Sequence, residues 1–109
     1  MTMHSSEAEG LGVEIERLRR RVLGLSYAQL DAGSSPGHSR RALIRSALSD
    51  LAGLSWQASA LPGPCPAVPD HGDAALGYQL TALLQDCLAA GGDTEHAAWQ
   101  RAVRLRRAL

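Results

Sequence analysis

Two cysteines and four histidines are the side chains of this chain that could bind a metal ion. The candidate ligands are Cys65, His71, Cys87 and His96. Structural zinc sites usually draw two of their ligands from one short segment, in patterns such as CxxC or HxxxH. Neither pattern occurs in this sequence. We therefore predict no metal site and no cofactor, and keep a metal-binding helical protein only as an alternative.

Catalytic groups are also poorly placed. A nucleophile elbow carries its serine at a strand-to-helix turn, and no such turn is predicted here. Asp70 and Asp73 lie at a predicted helix start, where the helix dipole favours ionised carboxylates rather than a general acid. We therefore predict that the chain is not an enzyme.

All eleven basic residues are arginines, whose guanidinium groups pair with carboxylates or phosphates. Most of them form three groups, which are Arg19, Arg20 and Arg21; Arg40, Arg41 and Arg45; and Arg101, Arg104, Arg106 and Arg107. A nucleic-acid-binding transcriptional regulator that uses the last two helices is therefore an alternative function. Eleven acidic residues cancel the basic charge, whereas nucleic-acid binders usually carry a basic excess.

Four segments repeat apolar residues three or four positions apart, which is the spacing of one helix face. The four seams are Leu11, Ile15, Leu18, Val22 and Leu25; Ala47, Leu51, Leu54, Ala58 and Leu61; Leu76, Leu80, Leu83 and Cys87; and Ala98, Ala102, Leu105 and Leu109. The predicted helices span residues 8–32, 38–61, 70–90 and 94–109. We predict an all-α fold, a small four-helix bundle in a single domain over 8–109, after a flexible tail over 1–7.

The connections between the predicted helices differ in character. Residues 62–69 contain four prolines, which exclude a helix and favour a stiff extended segment between the second and third helices. That segment is long enough for the third helix to cross the bundle. Gly91 and Gly92 form a short turn, which predicts that the last two helices are an antiparallel hairpin. Candidate N-caps are Ser35 or Ser39, then Asp70, and then Asp93 or Thr94.

The first predicted helix carries charged residues at the spacing of ion pairs. Glu14 with Arg17 and Glu16 with Arg20 have the i,i+3 and i,i+4 spacing of helix ion pairs. Such pairs at a surface contribute little to stability. We predict a solvated charged face here.

Several large apolar residues lie off the seams, namely Leu23, Tyr27, Leu30, Trp56 and Tyr78. Either they complete the core on a second side of each helix, or they form a surface for another protein. Tyr and Trp rings commonly lie at the edge of a core, which supports the first interpretation, and aromatic residues are enriched at interface centres, which supports the second. A ligand groove is a third interpretation. Arg101 and Arg104 are candidate rim residues that would pair with acidic groups of the partner.

The function that these features favour is a non-catalytic protein–protein interaction module, acting as an adaptor or regulator. The partner is another protein or a second copy, and zero net charge is compatible with a homodimer. No stretch has the length of a membrane span, and residues 1–12 carry no apolar signal core. We therefore expect a cytoplasmic protein with no membrane partner.

Overall fold

The computed structural model describes the backbone of residues 3–33 and 35–109, and the side chains of residues 10–33, 35 and 37–109. Five α-helices form, and they are α1 (Met3–Leu23), α2 (Tyr27–Asp31), α3 (Arg40–Ser59), α4 (Leu76–Ala90) and α5 (Gly92–Ala108). Short 3-10 helices cover Pro36–His38 and Asp73–Ala75. No β-strand occurs in the described backbone, so the prediction of an all-α fold is confirmed.

The segment predicted as one helix over 8–32 is divided into α1 and α2. The Ser26 side chain accepts a hydrogen bond from the Gln29 backbone N–H, and the Gln29 side chain accepts one from the Ser26 N–H. This capping box starts a new helix directly after Gly24, a poor helix former. Helix α1 also begins at Met3 rather than near residue 8, and residues 1 and 2 of the predicted tail lie outside the described residues.

The other helix starts depend on local hydrogen bonds. Ser39, the second of the two predicted caps, accepts from the Ala42 N–H and starts α3. Asp70 does not cap α4, because its carboxylate accepts instead from the Gly72 N–H and pairs with Arg45. Helix α4 therefore begins six residues later than expected, after the Asp73–Ala75 turn. Helix α5 follows Gly91, whose φ of 69° lies in the left-handed region that suits glycine.

Residues of all five helices contribute to one apolar core. Every residue of the first predicted seam is buried, from Leu11 to Leu25. On α3 the buried residues are Ile44, Ala47, Leu48 and Leu51, whereas Ala58 of the predicted seam is exposed and Leu61 lies beyond the helix end at Ser59 with 54% of its surface exposed. No described helix combines the length and apolarity needed to cross a bilayer.

Contacts between side chains give the directions of the long helices. Leu23 fills the space over Gly77, and Trp99 lies beside Gly10, so α1 runs opposite to α4 and in the same direction as α5. Arg41 pairs with Asp73 near the starts of α3 and α4, and the Cys87 thiol donates to the Leu51 carbonyl further along both. Helices α3 and α4 therefore point the same way, and the proline-rich segment returns along the length of α3.

Arg41 connects the residues before α3 to the residues that follow the proline-rich segment. Its Nε and Nη2 groups donate to the two carboxylate oxygens of Asp73 at 2.7 and 2.8 Å, and its Nη1 donates to Asp31. The bidentate pair has the planar geometry that a guanidinium favours. The hydrogen bond from Arg41 holds the pKa of the Asp73 carboxyl below its ordinary value of 3.8. Arg41 therefore ties α2, α3 and the start of α4 together.

This pairing predicts a specific loss of stability in acid. A lowered pKa in the folded state means that the contribution is complete above about pH 4 and is lost as the pH falls further. We expect acidification from about pH 5 to pH 3 to lower the Tm of the unaltered chain more than that of an Asp73→Asn variant. Circular dichroism melts measure both shifts, and equal shifts would contradict the role given to Asp73.

Candidate interaction surfaces

The structure sorts the predicted partner-binding residues by exposure. Tyr27 and Tyr78 are 71% and 63% exposed, and Leu23 is 42% exposed, as an interaction surface requires. Leu30 is buried in the core, so it does not belong to that surface. The reason is that α2 is a separate short helix that turns Leu30 inward against Val22 and Leu76, instead of continuing the line of α1.

Leu23, Tyr27 and Tyr78 form what we call the tyrosine surface. Leu23 ends α1, Tyr27 starts α2, and Tyr78 follows Gly77, over which Leu23 packs. A groove of about 310 Å³ opens beside Leu23 and Tyr27. Its apolar walls include Val22, Leu25, Leu30 and Leu76. The exposed ring of Tyr27 thus lines this groove, whereas Tyr78 is exposed on α4 one residue after Gly77 and is not part of the groove lining.

Trp56 belongs to a different place, the groove between α3, the proline-rich segment and α4. Its indole Nε1–H donates to the Gly63 carbonyl at 3.0 Å and fixes the proline-rich segment on α3. Gln79 Nε2 donates to the Pro69 carbonyl at 2.9 Å, which fixes the other end of the segment on α4. The open groove beside this segment has a volume of about 500 Å³. Trp56 therefore positions a loop and does not adjoin the tyrosine surface.

The candidate metal ligands are only partly brought together. Cys65 and His71 line the groove beside Trp56, whereas Cys87 is buried in the core. The aromatic ring of His96 lies 6.1 Å from that of Trp99 on α5. In the described part of the chain, no three His, Cys, Asp or Glu side chains gather where they could hold a metal ion.

One serine and one histidine form a hydrogen bond that the sequence did not predict. Ser35 Oγ and His38 Nδ1 are 2.8 Å apart across the Pro36–His38 turn, and both residues are exposed. The nearby carboxylate of Asp31 is engaged by Arg41. The pair thus lacks an orienting carboxylate among the described residues and acts as a local brace of the turn.

Most of the arginines form an ion pair or a hydrogen bond with another described residue. Arg101, a predicted rim residue, pairs with Asp50 at 2.7 Å and keeps only 13% of its side chain exposed. Arg45 pairs with Asp70, and Arg40 donates to the main-chain oxygens of Leu109 and Gln29. Arg104, the other predicted rim residue, is exposed.

Arg104 lines a groove between α1 and α5 with a volume of about 1000 Å³, which we call the arginine groove. Inside it, the buried Glu14 carboxylate accepts from Arg106 Nε and Nη2 at 2.5 and 3.1 Å. The spacing on α1 predicted that Glu14 pairs with Arg17, but Glu14 pairs instead with Arg106 on α5. Glu16 and Arg20 form the predicted ion pair, at 3.1 Å. Arg17 and Arg107 also line the groove.

No protein-family model, curated protein or solved structure matches this chain. The surfaces described above are therefore the basis for a functional assignment. Of these, the tyrosine surface combines the most exposed aromatic side chains with an apolar groove.

The two thiols should differ in reactivity. Cys65 is exposed, whereas burial, assisted by the charge of Asp86, raises the pKa of Cys87 to about 11. Only the thiolate reacts quickly with disulfide reagents. We expect such a reagent at pH 8 to modify one thiol per native chain and two after unfolding. Loss of the native reaction in a Cys65→Ser variant assigns the site, and rapid modification of two thiols in the native chain would contradict the burial of Cys87.

Truncation of Leu30 and truncation of Tyr27 should change the free energy of unfolding by very different amounts. Leu30→Ala leaves a cavity in the core and should lower the free energy of unfolding by roughly 2–5 kcal/mol. Tyr27→Ala removes an exposed ring and should change it by about 0.5 kcal/mol or less at low protein concentration. Urea denaturation measures both values, and a large loss for Tyr27→Ala would place its ring in the core.

Proposed function

We propose that this chain is a non-catalytic protein-interaction module, an adaptor or regulator, that associates with a second copy of itself through the tyrosine surface. The observation that carries this proposal is the exposure of Tyr27 beside a groove with apolar residues in its walls, together with the exposure of Tyr78 on the neighbouring helix α4. Burying apolar area contributes about 25 cal/mol per Å², and aromatic rings supply much of the binding energy at interfaces. These two rings are therefore the natural anchors of an interface.

A second copy is a suitable partner for this surface. In a two-fold symmetric dimer each copy presents the same patch, so the patch must complement itself. The tyrosine surface offers exposed rings together with a groove whose walls are largely apolar but also include Ser26 and Asp73. Because the formal net charge is zero, two copies approach without long-range repulsion.

The proposed architecture is a four-helix bundle of α1, α3, α4 and α5, with α4 and α5 as an antiparallel hairpin. Supporting it, α4 runs opposite to α1 while α5 runs with α1, and Gly91 alone connects α4 to α5. In this arrangement α2 is a short addition at one end. The residues of the tyrosine surface then lie near the ends of packed helices, which fix the positions of their backbones.

A non-catalytic role in the cytoplasm agrees with the state of the reactive side chains. The Cys87 thiol is buried, with a raised pKa that keeps it protonated at neutral pH. Cys65 is an exposed thiol, which persists more readily in a reducing compartment. The Ser35 and His38 pair serves its own turn.

Removing the two rings should weaken self-association without unfolding the chain. We expect the Tyr27→Ala, Tyr78→Ala double variant to raise the dimer dissociation constant by roughly tenfold or more, since interface anchors often contribute above 1 kcal/mol each. Sedimentation equilibrium over a concentration series measures that constant, and circular dichroism checks the helical content.

Leu61→Ala is the matched control, because Leu61 is a large apolar residue that is also exposed but lies in the proline-rich region. It should leave the dissociation constant unchanged. If the unaltered chain is a monomer at all concentrations, or if Leu61→Ala weakens the dimer as much as the double variant, the proposed interface is wrong.

A further inference from the structure

We infer that the arginine groove binds an acidic amphipathic helix of another protein. The groove lies between α1 and α5, and neither of these contributes Tyr27 or Tyr78. The inference therefore goes beyond the proposed self-association and does not depend on it. It follows from the floor, the rim and the length of the groove.

The floor of the groove combines apolar side chains with the Glu14–Arg106 ion pair. Val13 on α1 is 52% exposed, and Val103 and Trp99 on α5 are half-buried. Gly10 has no side chain, so the Trp99 indole lies close to the backbone of α1, with Nε1 3.5 Å from the place of a Cβ atom. The apolar side chains of this floor suit aliphatic side chains and give little to a phosphate backbone.

The rim of the groove is basic. Arg17, Arg104 and Arg107 are exposed, and none of them pairs with a carboxylate of the described residues. The carboxylate inside the groove, that of Glu14, is already occupied by Arg106. A chain of zero net charge thus carries three guanidinium groups around one groove that have no carboxylate partner among the described residues, which is complementary to a partner rich in Asp and Glu.

The dimensions of the groove fit a helix. The lining residues of α5 extend from Trp99 to Arg107, a rise of about 12 Å at 1.5 Å per residue. Residues of α1 and of α5 line this one groove. An amphipathic helix of just over two turns places apolar side chains on the floor and flanking carboxylates against the rim.

A synthetic peptide tests this inference. The probe is a capped helix of about 14 residues, with Leu at i, i+3, i+4 and i+7 and Glu at the flanking positions. In a Trp56→Phe variant, Trp99 is the remaining tryptophan and reports binding at the groove by its fluorescence. We expect saturable binding of the Glu peptide and no binding of the same peptide with Lys in place of Glu.

Charge substitutions locate the site. Replacing Arg17, Arg104 and Arg107 by Gln should weaken peptide binding by roughly tenfold or more, at up to about 1 kcal/mol for each exposed ion pair. The control replaces Arg19, Arg20 and Arg45 by Gln, which removes the same charge at positions outside the groove and should have little effect.

Three results would overturn the inference. The first is that the Glu peptide gives no saturable change in Trp99 fluorescence, and the second is that both triple variants weaken binding equally. The third is that a single-stranded oligonucleotide binds the groove more tightly than the Glu peptide in the same salt. The last result assigns the groove to nucleic acid instead. Circular dichroism of every variant confirms that the helical fold is retained.

Discussion

The burial of the Glu14 carboxylate is the constraint on which the arrangement of the surfaces depends. A buried carboxylate without a partner lowers the stability of the folded chain by several kcal/mol. Helix α1 therefore lies where Arg106 of α5 can pair with Glu14. The same placement turns the apolar seam of α1 into the core and leaves Val13 and Arg17 beside α5. The end of α1 then rests on Gly77, which brings Leu23 next to the start of α4. Both the arginine groove and the tyrosine surface therefore follow from the position of α1.

Much of the fold could be predicted from the sequence because helix seams depend on local spacing. The seams from Leu11 to Leu25 and from Ala98 to Leu105 are buried as predicted. Helix ends were harder, because they depend on competing hydrogen bonds. The capping box at Ser26 divides the first helix, and Arg45 draws Asp70 away from its expected capping role. The common direction of α3 and α4 depends on tertiary contacts such as that of Arg41 with Asp73, which spacing cannot reveal.

The candidate surfaces were predicted less completely. Exposure of Tyr27 and Tyr78 follows from their positions off the seams, but Leu30 is buried because α2 changes direction. Arg101 faces Asp50, a partner fifty-one residues away in sequence. One feature of the sequence does indicate the ion pair inside the arginine groove. Glu14 stands between Leu11 and Leu18 at seam spacing, and an acid in an apolar seam indicates a buried ion pair with a distant arginine.

The mass of the chain in solution tests the central claim, self-association through the tyrosine surface, most directly. Static light scattering over a concentration series should show the mass rise from 11.5 kDa toward twice that value and then level off. A plateau at the dimer mass agrees with an interface that closes on itself under two-fold symmetry. A mass that stays at 11.5 kDa throughout would contradict self-association, and a mass that rises without a plateau would contradict a closed dimer.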